Sequence, residues 1–246
     1  MPGRYLPTLE ALAKHTTLLL ASVELIGELV EAIPAEAYLA VSDALGLIRC
    51  GAVQYERENA SILLTDCCIH DWRGCGKNVV EMHADSYRPV PGSDEEILLN
   101  GYLNAQYAML AESGRVPGMG IYCGDAAGNE LFLMDQGLSR GLASGWEAFA
   151  TRIIPVGDFC IAGGAILPVL SRSKVEATAK RIARRRLERS LGVIDLDISL
   201  LLARACLEAS IEAAYPVPQK KSALLRRMPR QRRPPGRDST SGCGSP

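Results

Sequence analysis

Apolar residues in the first part of the chain recur with a helical period. Leu9, Leu12, Thr16, Leu19, Val23, Ile26, Val30 and Ile33 follow one another in alternating steps of three and four. That is the a/d repeat of a helix that lays one stripe against a neighbour. Thr8 stands at the N-cap position and Pro34 at the stop, so the helix is read as 8–33. The stripe reads first as packing on its own domain, and otherwise as a contact for a helix of a protein partner or of a second copy.

The pattern then changes period several times. A second helix is predicted from Ala35 to Leu47, then two short strands within Val53–Thr65, or one strand with a bend, and another strand over Asn78–Tyr87. Pro89, Pro91 and Gly92 break the run, and Ser93 with Glu96 forms a capping box. The helix opened there would bury Ile97, Leu98, Gly101, Tyr102, Ala105, Ala108 and Met109 and end at Gly114. Met119–Gln136 reads as a β-hairpin, because two apolar arms flank Gly124–Asn129, a run of turn residues. Ser144 and Glu147 predict a short helix through Ala150, and Ile153–Leu170 supplies apolar strands interrupted at Gly157, Gly163 and Gly164.

A third capping box, Ser173 with Glu176, opens a helix to about Ser190 with a narrow apolar face. Asp195 or Asp197 caps a broadly apolar helix that Pro216 ends. The expected architecture is α+β: a mixed, mainly antiparallel sheet over 53–170, flanked by the N-terminal helices and a basic C-terminal helical hairpin at 173–215. Residues 1–215 are expected to form one domain, and 216–246, rich in Pro, Gly, Ser, Lys and Arg, a disordered basic tail.

Composition narrows the class. The 246 residues are 48% hydrophobic and 22% charged, which excludes wholesale disorder, a collagen-like chain and a membrane bundle. No segment approaches the roughly 20 uncharged apolar residues of a membrane span. Eight cysteines are too few for a disulfide scaffold, and no stretch has the layout of a secretory signal, so a reduced, cytoplasmic protein is expected.

Charge divides the chain. Residues 1–170 carry 10 Lys/Arg against 21 Asp/Glu, whereas residues 171–246 carry 17 against 7. The cations Lys180, Arg181, Arg184, Arg185 and Arg189, with Lys220, Lys221, Arg226, Arg227, Arg230, Arg232 and Arg233, are the candidate contacts for an anionic partner. No aromatic residue follows Tyr215, so nucleic acid held there would be bound through phosphate rather than by base stacking.

Reactive side chains concentrate at Cys67, Cys68, His70 and Cys75, with His83 beyond them. Zinc takes four Cys/His ligands, and this set would supply them, although the spacing matches no paired Cys-x-x-Cys pattern. A thiol nucleophile beside a histidine is the other chemistry the cluster suggests. Phosphate-binding glycine loops and a serine nucleophile elbow are absent from the sequence. The foremost functional reading is a non-catalytic adaptor or structural subunit of a larger assembly, whose basic C-terminal region contacts an anionic partner. A sequence-nonspecific nucleic-acid-binding protein and a small zinc- or thiol-dependent enzyme centred on 67–83 are the alternatives.

Overall fold

The computed structural model describes residues 4–55, 58–74, 76–125, 127–189 and 198–214. Helix α1 (Leu9–Glu31) starts at Thr8, whose hydroxyl accepts the Ala11 N–H at 3.1 Å, and α2 (Ala35–Leu45) follows after Pro34. Two-residue strands β1 (Ile48–Arg49) and β2 (Ala52–Val53) form a small antiparallel pair. Three helices come next: α3 (Glu58–His70), α4 (Val79–Ser86) and α5 (Asp94–Leu103).

Five strands then close a barrel: β3 (Gln106–Val116), β4 (Gly120–Gly124), β5 (Glu130–Met134), β6 (Ala148–Val156) and β7 (Phe159–Val169). Around it the order is β3-β4-β5-β7-β6, and β6 pairs back to β3. Every pairing is antiparallel except β5–β7, which is parallel and joined through Leu133 and Cys160. This is the Greek-key order of five-stranded barrels of the OB type. Helices α6 (Arg172–Arg189) and α7 (Ile198–Ala214) complete the α+β architecture.

Period-two alternation splits the strand side chains into two sets. Leu110, Ile121, Cys123, Leu133, Phe149 and Ile153 fill the barrel. Tyr107, Phe132, Ala150, Ile154, Ile161 and Leu167 point the other way and join the helices in a second, larger core. Helix α5 lies hard against β6, since a β-carbon at Gly101 would stand 2.6 Å from the Pro155 carbonyl oxygen.

Several elements differ from the pattern-based expectation. Most of Val53–Thr65 belongs not to strands but to α3, where Ala60, Leu63, Leu64, Cys67 and Cys68 repeat at three- and four-residue steps and are buried. Asn78–Tyr87 is likewise helical. The Asn78 side chain accepts the Glu81 N–H at 2.8 Å, and the Glu81 carboxylate accepts the Asn78 N–H at 2.9 Å, a reciprocal box that starts α4. The helix from Ser93 stops at Leu103 rather than Gly114, and Ala108 and Met109 lie in β3. Ser144 and Glu147 open no helix; β6 begins at Ala148 because it pairs with both β3 and β7. Gly157 does turn the chain between β6 and β7, but Gly163 and Gly164 sit inside β7, where its register with β6 shifts. The 119–136 hairpin forms as expected.

On α1 the buried positions are His15, Leu18, Ser22, Leu25 and Leu29. They lie beside the a/d stripe read from the sequence, most of which stays outside: Leu9 is 76% exposed, Leu20 beside the stripe 72% and Val23 70%, with Leu19 and Ile26 also exposed. Among the described residues no helix is long and apolar enough to cross a membrane.

Candidate functional site

The most polar part of the interior lies where α3 meets β6. Strand β6 alternates, so Arg152 points away from the barrel bore and toward α3, with 1% of its surface exposed. Its guanidinium clamps two carboxylates. Nε and Nη2 donate to Asp66 Oδ2 at 3.1 and 2.9 Å, while Nη1 and Nη2 donate to Asp71 Oδ1 and Oδ2 at 3.1 and 2.6 Å. Burial alone disfavours the charge on Arg152, but Asp66 and Asp71 more than reverse this and raise its pKa. Charge-assisted forks of this kind are the strongest hydrogen bonds a fold offers, and breaking one inside a protein is costly.

Around the clamp stand groups that the fold has dried out. His70, one turn beyond Asp66 on α3, is 7% exposed; burial lowers its pKa to about 4, outweighing the opposing pull of Asp66. It is therefore a neutral imidazole at ordinary pH. Its ring lies against Tyr102 of α5 with centroids 5.5 Å apart, and Asp66 Oδ1 is 4.0 Å from its Nε2. The helix end is fixed by Asn78, whose Nδ2 donates to the His70 carbonyl at 3.0 Å. Tyr107 of β3 places its ring under Arg152, and its buried hydroxyl has no hydrogen-bond partner among the described residues.

The cysteine–histidine cluster is dispersed by the helix. Cys67 and Cys68 are successive buried residues of α3, so their side chains diverge by about 100° around its axis. His83 belongs to α4, where it stacks on Tyr87 and lies 3.6 Å from Glu28. Cys75 lies outside the described residues. Among those described, the ligand atoms that do converge belong to Asp66, Cys67 and Asp71, within 4.8 Å of one another, and Arg152 already bridges the two carboxylates. Burial and the neighbouring acids push the Cys68 thiol up to about 12 and Cys67 well above the usual range, which is the reverse of what an activated nucleophile needs.

Sequence reading thus reached the right stretch of chain and missed its partners. Asp66 and Asp71 flank the cysteines it singled out, but Arg152 is 86 residues from Asp66. One signal was available: Arg152 is the sole charge in Ala148–Val156, an otherwise apolar strand. A lone arginine in such a run needs a buried acid.

The expected anion-binding residues are spread along α6. Lys180, Arg184 and Arg185 lie on its exposed side, Arg181 pairs with Glu208 of α7 at 2.8 Å, and Arg189 falls in its last turn. Lys220, Lys221, Arg226, Arg227, Arg230, Arg232 and Arg233 lie outside the described residues. The outer face of β4–β5, on which OB-type barrels bind oligonucleotides, is occupied here by the N-terminal segment. Arg4 sits 3.6 Å over the Tyr122 ring, and the Tyr122 hydroxyl donates to the Tyr5 carbonyl at 2.7 Å.

No curated protein and no solved structure matches the chain. Residues 10–175 match a family whose function is unknown, in a span that holds α1, the Arg152 clamp and all five barrel strands but ends in the first turn of α6. Since that span is about two thirds of the 246 residues, the chain belongs to the family of unknown function DUF7986.

Proposed function

We propose that the protein is a non-catalytic adaptor or structural subunit that binds a partner helix along α1. The observation that carries this reading is the part of the α1 a/d stripe that stays in solvent. Leu9, Leu19, Leu20, Val23 and Ile26 form an apolar ridge on a helix already anchored by the face beside it. Grouped exposed apolar side chains of this size are uncommon away from interaction sites. Glu24, Glu28 and Glu31 are exposed beside the ridge, so the complementary partner is an amphipathic helix with apolar anchors and basic flanks. Lys180, Arg184 and Arg185 on α6 supply a second, electrostatic contact for an anionic part of the same assembly.

Binding of two designed helical peptides by the full chain tests this. The peptides share leucine a/d positions, and one has lysine flanks, the other glutamate flanks. The lysine peptide should bind, and Leu20→Glu with Val23→Glu should weaken it at least tenfold. Equal binding of both peptides, or none, overturns the reading. So does a concentration-dependent dimer of the chain that the same two substitutions dissolve, because the occupant of the ridge would then be a second copy.

A further inference from the structure

A cavity of about 350 Å³ lies between α1, α3, α5 and the barrel, walled by Ile26, Ile62, Ile69, Tyr102 and Ile154. Its polar groups are concentrated on one side, where Asp66 and His70 stand a turn apart on α3. Ser61 and Thr65 of α3 line the same side, Gly163 and Gly164 complete the lining, and a β-carbon at either glycine would press on Ile154 or Asp66. Apolar walls with a few convergent polar groups are the usual form of a small-molecule site.

The polar side has capacity to spare. Asp66 Oδ2 receives two short bonds from Arg152, whereas Oδ1 receives only a long one, 3.4 Å from Nε. The His70 imidazole makes no hydrogen bond to a described residue, and its Nε2 stands 4.0 Å from Asp66 Oδ1. Two acceptors at that separation are what one nitrogen bearing several N–H donors spans, with each bond about 2.8–3.0 Å long. The Tyr102 ring, stacked beside His70, offers a cation a π-face. A metal ion fits less well, since beyond one carboxylate oxygen and one imidazole the cavity offers it only the neutral hydroxyls of Ser61 and Thr65 among isoleucines.

We infer that this cavity binds a small organic cation, a primary ammonium on an alkyl or arylalkyl body. The ammonium bridges Asp66 Oδ1 and His70 Nε2, in the tautomer protonated on Nδ1, and the hydrocarbon packs against Ile26, Ile62 and Ile154. Ile26 edges both this cavity and the α1 ridge, but the contacts at Asp66 and His70 do not rest on the helix-docking reading.

Calorimetric titration and thermal unfolding of the full chain with phenethylamine, phenethyl alcohol and zinc chloride alone provide the test. Phenethylamine should bind once per chain, with a dissociation constant on the order of 1 mM or tighter, and raise the unfolding midpoint. The alcohol, of the same shape without the charge, should bind at least tenfold more weakly. Ile62→Trp, a change at a partly exposed wall residue, should cut amine binding tenfold or more while the circular dichroism spectrum is kept. Asp66→Asn should do the same where it folds. Leu20→Glu with Val23→Glu, at ridge residues that do not line the cavity, should leave amine binding unchanged. Equal affinity for amine and alcohol, stabilisation by zinc but not by amine, or amine binding undiminished in Ile62→Trp would each overturn the inference.

Discussion

Gly164 stands so close to Asp66 that a β-carbon at position 164 would lie 2.9 Å from the Asp66 carboxyl carbon. The residue also has φ of +64°, a left-handed conformation in the middle of a strand. Backbone and carboxylate therefore meet without a side chain between them. Gly164→Ala should cost about 2–4 kcal/mol, combining left-handed strain with the collision. Urea unfolding midpoints would show it, and a change below about 0.5 kcal/mol would mean that β7 can shift away from α3.

Arg152→Met should be among the most damaging substitutions in the protein. It leaves Asp66 and Asp71 facing each other in the interior, and removing one partner of a buried ion pair costs about 3–5 kcal/mol. The triple variant Arg152→Met, Asp66→Asn, Asp71→Asn should recover part of that loss, since the penalty comes from stranded charge. Chemical denaturation of both variants decides it; a triple variant less stable than the single one would contradict this account.

The place of His70 sets a pH dependence. Its folded pKa of about 4 lies below its ordinary 6.5, so between these values the unfolded chain binds a proton that the folded chain refuses. Stability is therefore highest above pH 6.5 and falls on acidification toward pH 4, by about 3 kcal/mol from this group. The charged and titratable groups around the imidazole are Asp66, Arg152 and Tyr102. Unfolding free energies measured from pH 4 to pH 7 should show this slope, and His70→Gln should flatten it.

Asn78 performs two tasks with one side chain, capping α4 and holding the last carbonyl of α3. Asn78→Ala should cost about 2 kcal/mol, more than an ordinary cap, because it also strands a buried carbonyl. Asn78→Asp should keep the cap and lose the donor. Its loss should be the smaller of the two in thermal unfolding.

What could be read directly from the sequence was local. The 119–136 hairpin announces itself because Asp125 accepts from the backbone of Ala127 and Asn129, so the turn is written within a few residues. Helix α1 is equally plain in extent, since Thr8 and Pro34 bracket it. Its inward face was less legible, because His15 and Ser22 are buried while Leu20 and Val23 are not, and a hydrophobic count favours the wrong side. Helix α3 was hidden by Ile62–Thr65, which reads as strand when taken alone and becomes helix only through burial of Leu63, Leu64, Cys67 and Cys68. The Arg152 clamp depends on closing the barrel against α3, a tertiary event that no short window of sequence encodes.

The barrel joins β5 to β7 through the single register pair of Leu133 and Cys160, the one parallel junction in an otherwise antiparallel ring. His15, Thr16 and Leu19 of α1 face Met134, Ile161 and Ala162 across a small cavity at that seam, and the His15 ring meets Phe159 of β7 edge-on. The helix is thus a clasp as well as a ridge. A load placed on α1 is passed to the least-bonded line in the barrel, and amide hydrogens of β5 and β7 would report it first.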